Sequence, residues 1–283
     1  METRAVIPMR PLTFGELLDA AVSLLRIQAP LLLGAALVLA AGEQALLYPL
    51  RGWADMNLPW FAPHPSKAGE SWLAFCFGLS TEGAILALLG GLAGAAAGPG
   101  LLGVAARPRD LLRQVLRRTL PLLVVALVTA ALILITSLVL MLPWPLVFGL
   151  LGLASPSLAV DRTGPFAAVG RSFRLAGRNL RGAAIRLGGY FSWALIRIVL
   201  GLGGSYALEL WLDHDQAAYT FGMIAIWAVV DAVAYASLAC IDAVLYLEVR
   251  MRVEGLDVAI GRLRRLGRPV DLANSVILGA AVR

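Results

Sequence analysis

"DRTGPFAAVGRSFRLAGRNLRGAAIR", residues 161–186, holds six arginines, one acid and no lysine, and it separates two hydrophobic runs. What such a stretch does depends on the solvent around it. Of the 283 residues, 59% are hydrophobic and 15% charged, and the mean hydropathy is +0.80. A soluble domain carries roughly 45–50% apolar and about 25% charged residues. The excess is that of a chain dissolved in lipid. The useful count is therefore of segments about 20 residues long, enough to cross a hydrocarbon core.

Six segments come close to that length or exceed it: 29–48, 72–97, 121–141, 143–160, 184–206 and 220–247. The third and fourth meet at "LPWP", where Pro143 and Pro145 break the helix into a tight hairpin. Gly149, Gly152, Ser155 and Pro156 predict a fourth segment that is short or broken. The first reads as a retained helix rather than a cleaved leader, because no short basic region precedes it.

The net charge of +6 is made almost wholly by arginine, 23 residues against the single Lys67. These cations fall on alternate connections. Arg4, Arg10 and Arg26 precede the first span, and Arg107, Arg109, Arg113, Arg117 and Arg118 follow the second. Residues 161–186 follow the fourth, and seven arginines from Arg250 to Arg283 follow the sixth. The remaining connections hold only Arg51 and Lys67, and Arg197 lies inside the fifth span. Basic residues stay on the cytoplasmic side of a membrane. Both chain ends and residues 161–186 are thus expected inside the cell. Tyr48, Trp53, Trp60, Trp72, Trp144, Tyr206, Trp211 and Tyr219 fall at the opposite boundary, where a ring with a polar tip suits the headgroup level.

The opening stretch is itself helical in pattern. With Pro165 at its start, one side gathers Phe166, Val169, Phe173, Ala176 and Leu180, and the other gathers Arg171, Arg174, Arg178 and Arg181. Residues 13–28 set Phe14, Leu17, Leu18, Ala21 and Leu25 against Glu16, Asp19, Ser23 and Arg26, behind a Thr13–Glu16 capping box. Residues 109–120 set Leu111, Leu112, Val115 and Leu116 against Asp110, Arg113 and Arg117. Each such helix precedes a pair of spans. The expected fold is all-α and polytopic, a single integral membrane domain of three modules. Each module is an amphipathic helix on the inner surface followed by a transmembrane hairpin. Arg171, Arg174, Arg178, Arg181, Arg113 and Arg117 are the expected contacts for anionic lipid headgroups, for membrane-protein partners or for a second copy of the chain, each cation worth about 1 kcal/mol near such a surface. A nucleic-acid partner is not expected, because the arginines flank spans rather than cover a soluble face.

Charge inside the spans is the other signal. Arg197 and Asp231 lie at similar depth in neighbouring helices, and an unpaired charge there costs ~3 kcal/mol or more. Their pairing is expected, as a structural ion pair or as a proton or substrate site. Glu82 is near mid-depth and could share Arg197 or hold a proton. Glu43 is a further isolated acid, and Asp242 should reach an arginine of the inner face. The glycines of 90–100 and 201–204 allow close helix approach, and Gly98, Pro99 and Gly100 are expected to end the second span.

Enzyme chemistry has little to draw on. Cys76 and Cys240 sit in apolar runs, His64 and His214 in outer connections, and "LDHDQ" reads as a solvated turn. No metal site, cofactor or catalysis is expected.

Three stretches, "RPLTFGELLDAAVSLLR", "AVDRTGPFAAVGRSFRLAGRN" and "LYLEVRMRVEGLDV", together resemble bacterial integral membrane proteins of the glycerophosphoryl diester phosphodiesterase membrane domain type. The resemblance implies a bacterial inner-membrane protein. The chain ends soon after its sixth span, so the catalytic barrel of that group is not expected and its activity is not carried over. Stand-alone members of the group imply an accessory or scaffold role in envelope or membrane-complex assembly. A transporter of small solutes or lipids using Arg197, Asp231 and Glu82 is the alternative.

Overall fold

The computed structural model describes residues 7–56, 65–104, 106–139, 141–213, 217–267 and 270–272. His64, His214 and Trp60 lie outside them. The described residues are helical without strands. In chain order they form α1 (Phe14–Ile27), α2 (Ala29–Trp53), α3 (Ala68–Leu102), α4 (Pro108–Leu116), α5 (Thr119–Leu138), α6 (Trp144–Leu151), α7 (Ala154–Asp161), α8 (Pro165–Arg178), α9 (Leu180–Glu209), α10 (Ala217–Glu254) and α11 (Leu256–Arg265). Among them α2, α3, α5, the α6–α7 pair, α9 and α10 are long and apolar enough to cross a bilayer, so this is a multi-pass membrane protein. The short helices α1, α4 and α8 each precede a pair of spans, as expected.

Local chemistry sets the boundaries. Thr13 caps α1: its backbone N–H donates to Glu16 Oε2 at 2.9 Å, and its Oγ1 accepts from the Glu16 N–H at 3.4 Å. That reciprocal pairing, with Arg10 beside it, holds the exposed Glu16 carboxyl down at about 2. The second span does not end at Gly98–Gly100. Helix α3 runs through Pro99 to Leu102 and stops where Gly103 takes a left-handed φ of 77°. Gly255, at φ 64°, likewise lets the chain turn from α10 into α11, a fourth amphipathic helix that the pattern of the sequence had not suggested. Helix α10 has 38 residues, about 57 Å at 1.5 Å per residue, so it projects beyond a hydrocarbon core of about 30 Å.

The arginine-bearing connections converge on one end of the bundle. Gln28 Nε2, between α1 and α2, donates to the Ala106 carbonyl at 3.0 Å. Arg118, before α5, reaches the Leu158 carbonyl at 3.4 Å, and Arg252 in α10 donates to the Leu12 carbonyl at 2.7 Å. The centre of the bundle is α3, the most buried span, and α9 is the most exposed. At Gly94 a Cβ would lie 2.8 Å from the Pro156 backbone, so only glycine admits α7 this close to α3.

The fourth span is broken, and the break has a use. Helix α6 ends at Leu151 and α7 begins at Ala154. The Phe148 carbonyl, left without a helical donor by the break, accepts from Arg186 Nη1, whose guanidinium lies where a Gly152 side chain would be. Arg186 is 4% exposed and donates through Nε to both Asp242 oxygens, at 2.8 and 3.0 Å.

In α8 the buried side is Ala168, Ser172, Leu175 and Ala176, while Phe166 is 72% and Leu180 63% exposed. Ser172 Oγ lies 2.5 Å from the Leu150 carbonyl and Val169 and Phe173 pack against the core, while Phe166 and Leu180 stay on the exposed side expected of a helix at the membrane surface. Trp144 and Tyr219 are not boundary aromatics but buried, Trp144 against Tyr190 and Phe148 and Tyr219 with its hydroxyl on Glu209 at 3.2 Å.

Candidate functional site

The polar residues inside the spans gather in one place. Arg197, on α9, donates through Nη1 to Glu82 Oε1 on α3 at 2.5 Å and through Nε to Asp231 Oδ1 on α10 at 2.7 Å. Its Nη2 lies 3.3 Å from the Tyr235 hydroxyl, and its guanidinium is 5.1 Å from that ring. Tyr235 in turn donates to Glu43 Oε2 on α2 at 2.7 Å. The Thr81 hydroxyl is 2.7 Å from Glu43 Oε1, Tyr190 donates to Glu82 Oε2 at 3.1 Å, and Gln44 Nε2 donates to Asp231 Oδ2 at 2.8 Å. Arg51 reaches Gln44 Oε1 at 2.7 Å. Each oxygen of the three carboxyls has a donor. That completeness offsets the cost of holding so many charges within the spans.

Helical spacing puts these groups on common faces. Gln44 and Arg51 on α2 and Tyr190 and Arg197 on α9 are seven residues apart, and Asp231 and Tyr235 on α10 are four apart. Tyr190 is held by an aromatic cluster, its ring 4.6 Å from Phe148 and 5.4 Å from Trp144. The sequence reading had singled out Arg197, Asp231, Glu82 and Glu43, and the structure joins all four. Tyr235, Tyr190, Thr81, Gln44 and Arg51 complete the network; for Tyr190 and Tyr235 the spacing of seven from Arg197 and four from Asp231 was an available signal, and for Thr81 and Gln44, next in the chain to Glu82 and Glu43, there was none. Asp242 is not part of this group and pairs with Arg186 nearer the arginine-rich end.

Beside the network lies a cavity of about 330 Å³. Its walls include Glu43, Gln44, Arg51, Glu82, Arg197, Asp231 and Tyr235, with Met56, Ala74 and Phe75 toward the end of the bundle where α2 stops and α3 starts. That end is opposite the arginine-rich one. Further along α3, Ile85, Leu86 and Leu89 are buried and outside the cavity walls. The volume is at the lower end of the range for small-molecule pockets, and the walls carry both signs of charge.

A second ionic network stands at the arginine-rich end. Asp161, at the end of α7, accepts from Arg250 at 2.8 Å and from the Tyr246 hydroxyl, and it forms an ion pair with Arg171 at 2.6 Å. Glu254 accepts from Arg171 at 2.7 Å and from Arg250 at 3.0 Å. Glu248 binds Arg181 at 3.2 Å and Arg252. Of the arginines expected to face lipid or partners, Arg171 and Arg181 are therefore engaged within the chain, whereas Arg113, Arg117, Arg174 and Arg178 are exposed. Asp161, Arg171 and Arg181 fall in or beside the second of the three resembling stretches, Leu12 in the first, and Tyr246, Glu248, Arg250, Arg252 and Glu254 in the third.

Comparison with family models, with curated proteins and with solved structures found no match to this chain.

Proposed function

We propose that this chain is a non-catalytic multi-pass protein of a bacterial cytoplasmic membrane that takes a small polar solute into its charged cavity and passes it across the bilayer. The observation that carries this reading is a cavity reaching to mid-depth whose walls are Arg197, Asp231, Glu82 and Glu43, residues that lipid solvation alone would exclude. The arginine-rich end faces the cytoplasm, because basic connections do not cross, so the cavity opens outward. Walls of both signs suit a solute that itself bears both.

Uptake into proteoliposomes tests it, with a panel of small zwitterions as probes. Flux of at least one probe is expected, and its loss in Asp231→Asn and Glu82→Gln with the fold retained. No flux for the whole panel would sink the reading.

The second reading, an accessory subunit of a membrane assembly, is supported by the exposed side of α8. Phe166 and Leu180 beside Arg174 and Arg178 suit an anionic membrane surface or a partner resting on it. It accords with the family resemblance. Flotation with anionic vesicles separates it from the first: Arg174→Gln with Arg178→Gln should weaken binding about tenfold or more, at about 1 kcal/mol per cation.

A further inference from the structure

The walls of the cavity hold three carboxyls, Glu43, Glu82 and Asp231, and two guanidiniums, Arg51 and Arg197. With every group ionised the site carries one negative charge too many for a place within the spans, which favours a proton on one acid. Geometry selects which acid. Glu82 and Asp231 both touch the Arg197 guanidinium, at 2.5 and 2.7 Å. Among the described residues Glu43 is hydrogen-bonded by neutral hydroxyls, Tyr235 on one oxygen and Thr81 on the other, each at 2.7 Å.

Those two hydroxyls accommodate both forms of the carboxyl. Thr81 Oγ1 has one proton and two acceptors within reach, Glu43 Oε1 at 2.7 Å and the Gly78 carbonyl at 2.8 Å. When Glu43 is ionised, Thr81 donates to it. When Glu43 carries a proton on Oε1, Thr81 accepts that proton's hydrogen bond and turns its own to Gly78. Tyr235 donates to Oε2 in either state and accepts from Arg197 behind it. No side chain has to change place, and no donor is left unsatisfied.

We infer that the Glu43 carboxyl takes up and releases a proton through the cavity, with the Thr81 hydroxyl turning between Glu43 and Gly78 as it does so. The groups facing Glu43 are Arg51 on its own helix, Thr81 and Glu82 on α3, Arg197 and Tyr190 on α9, and Asp231 and Tyr235 on α10. The proton comes from water in the cavity and returns to it, and no bond other than O–H is made or broken. This deepens the proposed function, since a proton at the cavity wall would couple solute movement to the proton gradient. Its presence, however, does not depend on the solute.

The test is infrared difference spectroscopy of the full chain in phospholipid nanodiscs, acid against alkaline buffer, with no solute added. A protonated-carboxyl C=O band that disappears on the alkaline side is expected. Glu43→Gln should lose it, and Tyr235→Phe should shift it to higher frequency, because the C=O has lost its donor. A band that survives Glu43→Gln overturns the inference. So does a band that appears only when sodium is replaced by a bulky organic cation, which would assign the place to a metal ion. Equal thermal midpoints for wild type and Glu43→Gln guard against misfolding. Absent solute flux with the band present overturns the transport reading and keeps the proton site. Flux with no band, and with the same rate at every pH, does the reverse.

Discussion

The network at the cavity and the network at the arginine-rich end use the same chemistry to different effect. Around Asp161, two acids meet two arginines, Arg171 and Arg250, and the charges cancel. Around Glu43 three acids meet two arginines, and the site is left short of one positive charge. The first is packed at its centre, where the Arg250 side chain is 1% and that of Asp161 5% exposed, with Arg171 at 23% and Glu254 at 16% on its rim. The second borders open volume. A balanced network ties α7, α8 and α10 together; an unbalanced one beside a cavity has a place for something else. Intramembrane charge by itself does not mark function. Imbalance with access does.

The largest expected effect breaks the balanced network. Arg250→Ala leaves Asp161, whose side chain is 5% exposed, and Glu254 to share Arg171, and should cost about 3–5 kcal/mol, read as a lower thermal midpoint in mild detergent. Glu43→Gln at the cavity should change stability by less than about 1 kcal/mol, since it removes the surplus charge. Similar losses for the two variants would erase the distinction.

The Arg186–Asp242 pair sharpens it further. Arg186→Met alone should cost about 3 kcal/mol or more by stranding Asp242, whereas Arg186→Met combined with Asp242→Leu should recover most of that loss. A double variant as unstable as the single one would mean the pair does more than balance charge. Gly152→Ala, which puts a methyl where the Arg186 guanidinium lies, should cost about 1–3 kcal/mol.

The smallest effect lies at the start of α1. Thr13→Ala should cost about 1 kcal/mol. Because Glu16 is held below its ordinary value of 4.5, its contribution is complete above that value and lost as pH falls toward about 2. In Thr13→Ala that acid-dependent part should shrink, which helix content followed by circular dichroism between those limits would register.

Much of this was legible in the chain itself. Apolar runs of bilayer length and the alternation of arginine between them specify six spans, and the structure has six. The pairing of Arg197 with Asp231 followed from their matching depth and the cost of isolated charge. Other features were not legible. The helical projection of 161–186 separates apolar from basic residues, but it does not say that Ala168, Ser172 and Leu175 are the ones buried against the bundle. Arg186 counts as one more loop cation in sequence, but it lies on α9 with its guanidinium buried at the break between α6 and α7. Tyr235 and Thr81 carry no charge, so nothing in their identity ties them to Glu43, 192 and 38 residues away.

Sequence alone determined what must cross the membrane and what must stay on one side of it, because transfer of a side chain or a guanidinium into hydrocarbon is a local cost that each residue meets wherever its neighbours lie. Tertiary structure alone decided which acid shares an arginine and which is met by hydroxyls. Those partners come from four different helices, and hydrogen bonds reach no further than about 3 Å.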